Sequence, residues 1–399
     1  MEAKAHPRAK GLLQATHFVP LAGAVLLIGL ADAAAGSYVT LFAVEKAGMR
    51  PLMLGIFLTL GALSGIGFSA GFGHWLDRRR TMVPLLLALF ASAITYAALA
   101  VTTDFIPLCL IAALPLGVSA AAFPQLFAIA RGHLAELDAA TAERGTAVLR
   151  ATWSVAWAVG PALGAAMVGL FDFAGAFLTS AACALAAIAS VALVRVRPGT
   201  HAGGPQEEAP GAPARRRTIA FAAAALALFH MAMFLGSNAM PIVTTAELGG
   251  SKTDVGLIFS LCAFLEVLVL AIFALKPSGR MNYRGLYLGF IVFIVYFAVM
   301  FAAGSLAVVL AAQLARAIAI ALLGYLGISY MQALMPDRPG AAAALFSNTT
   351  QVGSLLSAAG TGLWAELFDF RSMFLACIGL SIAGLACLAL SRAKPHAPR

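Results

Sequence analysis

Charge is scarce in this chain, and where it occurs it is almost confined to short loops. Only 11% of the 399 residues are Asp, Glu, Lys or Arg while 61% are hydrophobic, and the mean hydropathy is +0.92. A soluble domain averages about 25% charged residues, so the composition excludes one and points to an integral membrane protein. Paired cysteines are missing too. Cys109, Cys183, Cys262, Cys377 and Cys387 stand singly inside apolar runs, which argues against a disulfide framework or a zinc site. The sequence offers no clustered nucleophile, metal-ligand set or paired carboxylates at a helix end, so an enzyme, a metal and a cofactor are not expected. The net charge of +9 would suggest a nucleic-acid partner in a soluble protein. Here cationic loops beside anionic lipid headgroups account for it, and no nucleic-acid partner is read from it. The first apolar run has no small-residue cleavage site and holds an aspartate, so it is expected to be a retained helix and not a signal peptide.

What is present is a series of apolar runs matched to a bilayer. A spanning helix needs ~20 apolar residues, and such runs begin near Phe18, Leu52, Met82, Ile106, Thr146, Ala174, Thr218, Asp254, Gly285, Ser305, Ala341 and Met373. They predict an all-α integral membrane protein of about twelve transmembrane helices. The segment from Val196 to Arg217 is rich in Pro, Gly, Ala and charge and reads as a flexible linker. It separates a bundle over residues 1–195 from a second over 218–399. The halves are related: GIFLTLGALSG from Gly55 aligns without gaps on GLIFSLCAFLE from Gly256, and the same offset sets Gly36-Ser37 against Ser237-Asn238. Two pseudo-symmetric six-helix bundles in parallel repeat are what transporters use to alternate access around a midplane site. A static scaffold, a membrane enzyme and a channel are the competing readings.

Orientation follows from the basic residues. Threading the runs from a cytoplasmic N-terminus puts most Lys and Arg, including Arg78-Arg79-Arg80 and Arg215-Arg216-Arg217, on one face, and only Lys46, Arg50, Lys252 and Arg371 on the other. The positive-inside bias then places both termini and the linker in the cytoplasm. A monomer embedded in membrane lipid is expected.

Gly73-His74-Trp75-Leu76-Asp77-Arg78-Arg79-Arg80 resembles the loop signature between the second and third helices of the major facilitator superfamily. The resemblance implies a cytoplasmic gate in which Gly73, Asp77 and Arg78 take part, the aspartate meeting a helix N-terminus and the arginines acidic groups. The glycine usual among the basic residues is missing, and the matching loop Lys276-Pro277-Ser278-Gly279-Arg280 has no aspartate. Within the superfamily, three stretches are similar to the bacterial sugar efflux transporters: Phe123 to Arg131, Leu149-Arg150 through Trp157 to Pro161, and Leu334 to Ala341. That likeness implies export of sugars or glycosides across the inner membrane, in exchange for protons. Gly160-Pro161-Ala162-Leu163-Gly164 is similar to the fifth-helix signature of antiporters, although Ala147 and Ala156 replace its upstream glycines.

Four charges remain inside the runs: Asp32, Arg150, Glu266 and Arg316. Each is costly in lipid and so a functional candidate by default. Asp32 is near the middle of the first helix with no basic residue at its level in its own half. It is a candidate proton carrier and substrate group; the alternatives are an aspartate bonded to a neighbouring helix or one reaching Arg316 across a cavity. Glu266 and Arg316 both lie ~17 Å deep at ~1.5 Å per residue. They fit either a structural ion pair or a coupling site, Glu266 as a proton carrier and Arg316 as a substrate group. Arg150, four residues into its run, is expected to snorkel as an anchor.

Sugar hydroxyls call for amides and carboxylates, and the ring's C–H face for an aromatic surface. Trp153 and Trp157 are one turn apart on one face. Gln125, His230, Asn238, Gln313, Asn348 and Gln351 complete the candidate substrate-binding set, each also suited to joining helices. A multidrug or amphiphile proton-coupled pump on the same fold is the rival reading. Pro20, Pro124 and Pro241 are expected to mark kinks or helix ends.

Overall fold

A computed structural model describes residues 17–79, 81–134, 137, 139–192, 194, 213–274 and 283–391. The described residues form helices and turns, with no strand among them. The first six crossings use α1 (Phe18–Gly36) and α2 (Val39–Glu45) together, α3 (Pro51–Arg79), α4 (Val83–Val101), then α5 (Phe105–Ile111), α6 (Gly117–Ser119) and α7 (Ala122–Leu134) in series, and α8 (Ala139–Val191). The second six are α9 (Pro213–Ala246), α10 (Lys252–Ala274), α11 (Arg284–Ala302), α12 (Leu306–Leu334), α13 (Pro339–Leu367) and α14 (Met373–Leu390).

The element α8, 53 residues long, would run ~80 Å at ~1.5 Å per residue, far beyond a ~30 Å hydrocarbon core. It is broken at Phe171 and Asp172, where Asp172 takes φ 55° and ψ −163°. Two crossings meet at that break, which brings the total to twelve. Between α5 and α6 the chain makes a π turn, Ala112–Leu116, around Pro115. Proline lacks the N–H that an α-helix would need at that point.

Sequence expectations differ from the structure at three places. Residues Pro213 to Arg217, assigned to the linker, already belong to α9, while most of the linker, with Arg195, lies outside the described residues. Arg150 is well inside α8, which begins at Ala139, and its side chain is exposed. The Gly73 to Arg79 stretch is the last part of α3 and not a loop. Of that gate, Arg78 is exposed and Gly73 has open space around it; the Asp77 side chain, Arg80 and the loop from Lys276 to Arg280 lie outside the described residues.

Exposed and buried stripes show how the helices sit. On α4, Val83, Leu87, Phe90 and Ile94 are exposed at intervals of three and four, while Leu85, Ala88, Ser92, Tyr96 and Leu99 are buried. The exposed stripe is a lipid-facing surface; the buried one packs against α8.

With twelve crossings, the start of α1 and the end of α14 share one face, called near below. The α2–α3 turn, the α8 break and the α9–α10 and α13–α14 turns lie at the far face. The halves meet through α3 against α13 and through α8 against α10. Gly55 of α3 approaches Gly362 of α13 so closely that a Cβ on Gly55 would lie 2.6 Å from the Gly362 Cα. Gly256 of α10 approaches α8, where a Cβ would meet the Pro161 carbonyl oxygen at 2.4 Å. From Gly55 to Gly256 and from Pro161 to Gly362 the step is 201 residues in each case, the offset that aligned the two halves. Each contact is therefore the image of the other under the internal repeat.

Candidate functional site

Small residues fix the position of α1. A Cβ at Gly160 would come within 2.6 Å of Ala33 Cβ, and one at Gly164 within 2.8 Å of the Ala34 carbonyl oxygen. Close helix approach at glycines four apart is a standard way of packing in lipid. Here it presses α8 onto the α1 residues that follow Asp32. The antiporter-like stretch thus has a local task, setting the depth and rotation of the helix that carries the carboxylate.

Asp32 borders a cavity of about 340 Å³ between the halves. Phe57, Leu58 and Gly61 of α3, Tyr96 of α4, Leu116 of the π turn, Ser119 of α6, Phe234 and Asn238 of α9, and Ser354, Ser357 and Ala358 of α13 contribute to its wall. Asp32 is the one charged side chain among the lining residues. The Tyr96 hydroxyl, 2.7 Å away, donates to its Oδ1.

The other sequence candidates divide sharply. Asn238 shares the cavity; it donates through Nδ2 to Thr361 at 2.9 Å, and its Oδ1 accepts from Thr40 of the opposite half at 3.4 Å. Gln351 is exposed on the α13 stripe that continues through Ser354 and Ala358, and Asn348 is exposed beside it. His230 is buried and fully engaged, Nδ1 with Thr349 at 3.3 Å and Nε2 with Thr350 at 3.1 Å. It joins α9 to α13. Gln313 is buried in the second half, donating to Val309 of its own helix. Gln125 is buried in α7 away from the described cavity wall. Trp153 and Trp157 do share a face, with ring centroids 6.4 Å apart, but Trp153 packs on Phe123 at 4.1 Å and beside Gly29. Neither indole is among the cavity-lining residues.

Glu266 and Arg316 do not form the expected ion pair within 4 Å. Arg316 is buried, donates from Nη2 to Ser237 at 2.7 Å and lies over the Phe259 ring at 5.3 Å. The hydroxyl and the aromatic face engage part of the guanidinium, while its Nη1 is buried with no hydrogen-bond partner. No group of His, Cys, Asp and Glu that could hold a metal occurs among the described residues.

At the far face the halves are tied further by charge. Lys252 of α10 contacts Asp172 at 2.7 Å and Glu45 at 3.7 Å, and its ammonium lies 4.2 Å from the centre of the Phe173 ring. Lys46 reaches the other oxygen of Asp172 at 3.1 Å, and the Tyr38 hydroxyl donates to the Lys252 carbonyl at 3.0 Å. On the opposite seam the Leu52 N–H, at the start of α3, donates to Glu366 at 3.1 Å. Toward the near face the same helices leave Gly67, Gly71 and Gly73 of α3 with open space around them. The described contacts that join the halves by close approach and by charge thus lie at the far face.

Two related six-helix halves, a cavity between them that holds a carboxylate, and a seal made of separable contacts define a membrane transporter, not an enzyme. The sequence matches the Major Facilitator Superfamily over residues 21–246 and again over 222–399, and the chain belongs to that superfamily. It is 39% identical over 95% of its length to a Deinococcus radiodurans protein provisionally named a sugar efflux transporter, covering 99% of that relative. It is 29% identical to sugar efflux transporter A of Dickeya chrysanthemi, with 91% of this chain and 92% of the relative covered. Among solved structures, the fold matches a bacterial homologue of the human lysosomal transporter Spinster in an inward-facing, occupied conformation. The TM-score is 0.73 at 13% identity, over 95% of this chain and 98% of that one. The nucleoside transporter NupG matches with a TM-score of 0.71 at 14% identity, over 95% and 100%.

Proposed function

We propose that this transporter exports sugars or sugar-like glycosides across the bacterial inner membrane by alternating access, in exchange for protons, with its near face and both termini in the cytoplasm. The observation that carries the reading is the cavity itself: one carboxylate, Asp32, among hydroxyl and amide groups, in a pocket the size of a small polar molecule. An intramembrane carboxylate that faces such a cavity is suited to carry a proton. Ser119, Asn238, Ser354 and Ser357 supply the groups that sugar hydroxyls need. The names of the relatives support the substrate class, and the near-face excess of Lys and Arg supports the orientation.

In this cycle Asp32 and the cavity groups take substrate from the cytoplasm. The far seams then part, substrate leaves, and a proton entering on Asp32 favours the return. Asp77 and Arg78 act at the near face, where the halves close once the far face opens. The amphiphile-pump reading keeps one specific support, since Phe57, Leu58, Leu116 and Phe234 make much of the wall apolar.

The test uses inside-out vesicles with an imposed pH gradient and labelled sugars alongside a labelled lipophilic cation. Asp32→Asn should abolish gradient-driven movement while exchange of substrate for substrate continues. If both modes fall together in step with lost folded protein, Asp32 is structural. If the cation moves and no sugar does, the substrate class is amphiphilic.

A further inference from the structure

Among the described residues, the hydroxyl of Tyr96 is the one side-chain hydrogen-bond donor to Asp32. We propose that Tyr96 is a positioning residue for the transport carboxylate: it holds one oxygen, Oδ1, against α4 and so turns the other, Oδ2, toward the cavity as the point that a proton or a substrate hydroxyl contacts. This proposal rests on the reading of Asp32 as the proton carrier.

The placement is built from several elements at once. Tyr96 lies on the buried stripe of α4, and its ring is held by packing while its hydroxyl emerges at the cavity wall. Asp32 is half-buried on α1, whose rotation the Gly160 and Gly164 contacts fix from the other side. With α1 clamped by α8, a side chain from α4 can determine where the carboxylate points. A rigid phenol is well suited to this, because its oxygen has only the freedom of the ring it ends.

Among the described residues the other charges are engaged or directed elsewhere: Arg316 donates to Ser237 and lies over Phe259, and the Arg150 side chain is exposed. The stretch of α8 from Ala151 to Phe171, α3 from Pro51 to Gly73, and α4 apart from Tyr96 hold no other group that could ionise near neutrality. Arg131 and His133 of α7 lie toward the near face. Glu45 and Lys46 lie at the far face, where Lys46 is paired with Asp172. Across the cavity α9 presents the neutral Asn238, and its His230 is bound to Thr349 and Thr350. The α13 wall is serine and alanine. The bond from Tyr96 is therefore the local interaction that distinguishes the ionised from the protonated carboxyl group, since a donor bonds the ionised form more strongly.

Infrared difference spectroscopy of the purified, full-length transporter, titrated with protons alone, reads this directly. The carboxyl stretching band of protonated Asp32 is assigned as the band that Asp32→Asn removes. In Tyr96→Phe that band should move to higher frequency and its titration midpoint should rise by about one pH unit or more. Incorporating a fluorinated tyrosine at position 96, a stronger donor of nearly the same shape, should shift the midpoint the other way and covers the case in which Tyr96→Phe fails to fold. A band unchanged in frequency and midpoint in the variant that folds overturns the positioning role while leaving Asp32 as carrier. If Asp32→Asn removes no titrating band, the carrier assignment itself falls, and the role of Tyr96 falls with it.

Discussion

Asp32 and Arg316 show two ways of keeping a charge inside an apolar bundle. Asp32 keeps one oxygen bonded and opens on a cavity; Arg316 is sunk into its own half against Ser237 and Phe259. The sequence made both visible, because an ionisable group in an apolar run stands out, but it could not say how each is satisfied. Tyr96 escaped notice for the opposite reason: a tyrosine in an apolar run reads as core until its hydroxyl has a partner. Depth alone matched Glu266 with Arg316, and depth says nothing about which way a helix is rotated. Because the two are not in contact, Glu266→Gln is expected to cost much less than the roughly 3–5 kcal/mol of breaking a buried ion pair. Ser237→Ala, which removes a bond to a buried cation, should cost about 1.5–3 kcal/mol. Thermal unfolding in detergent compares them, and a larger loss from Glu266→Gln than from Ser237→Ala would restore the pair. His230→Ala should likewise lower the melting temperature, by unlinking α9 from α13, without changing which substrates are carried.

At the level of elements, the helix starts were legible to within a few residues over most of the chain, since hydropathy and length determine a crossing. The α8 start was not, while the α8 break was, since one apolar run begins near Ala174, just past Asp172. The start is an extension by polar residues outside the apolar run; at the break, what the sequence did not disclose is that Asp172 is held by Lys46 and Lys252, both distant in sequence. Pro20, Pro124 and Pro241 were expected at kinks or helix ends; Pro20 and Pro124 do lie in the first turns of α1 and α7, Pro241 lies inside α9, and the π turn forms at Pro115, which the sequence did not single out. The far-face seams divide the sealing task between backbone and charge. The Lys252, Asp172 and Glu45 contacts are more than a third exposed on most members, so each is worth about 0.2–1 kcal/mol. Lys252→Gln should therefore shift the balance toward a far-open state by less than about tenfold, a 1.4 kcal/mol change. Gly256→Ala should shift it further, because its Cβ would collide with the α8 backbone and with the Tyr38 hydroxyl at 2.4 Å. Distances between spin labels placed across the far face report both. Equal effects from the two variants would mean that charge, and not close approach, keeps the face shut.

For the molecule as a whole, the division into halves was readable because a short ungapped match around Gly55 and Gly256 survives in the sequence. The structure adds that the two seams joining the halves obey the same 201-residue step. Orientation rests on loop charge, so it is checked separately: a cysteine introduced at Gly204 should be shielded from an impermeant reagent outside intact cells, and one at Gly250 should react. The reverse pattern would invert the direction of transport proposed here. The glycine seams also bear on what an exporter must avoid. A protein that sits permanently in an energised membrane is a potential short circuit, and a gate closed by long side chains leaves gaps that a file of water molecules can thread. Where main chain lies against main chain, as at Gly55 and Gly362, no room remains for such a file. The cavity can then stay hydrated and open to one side without becoming a leak for protons.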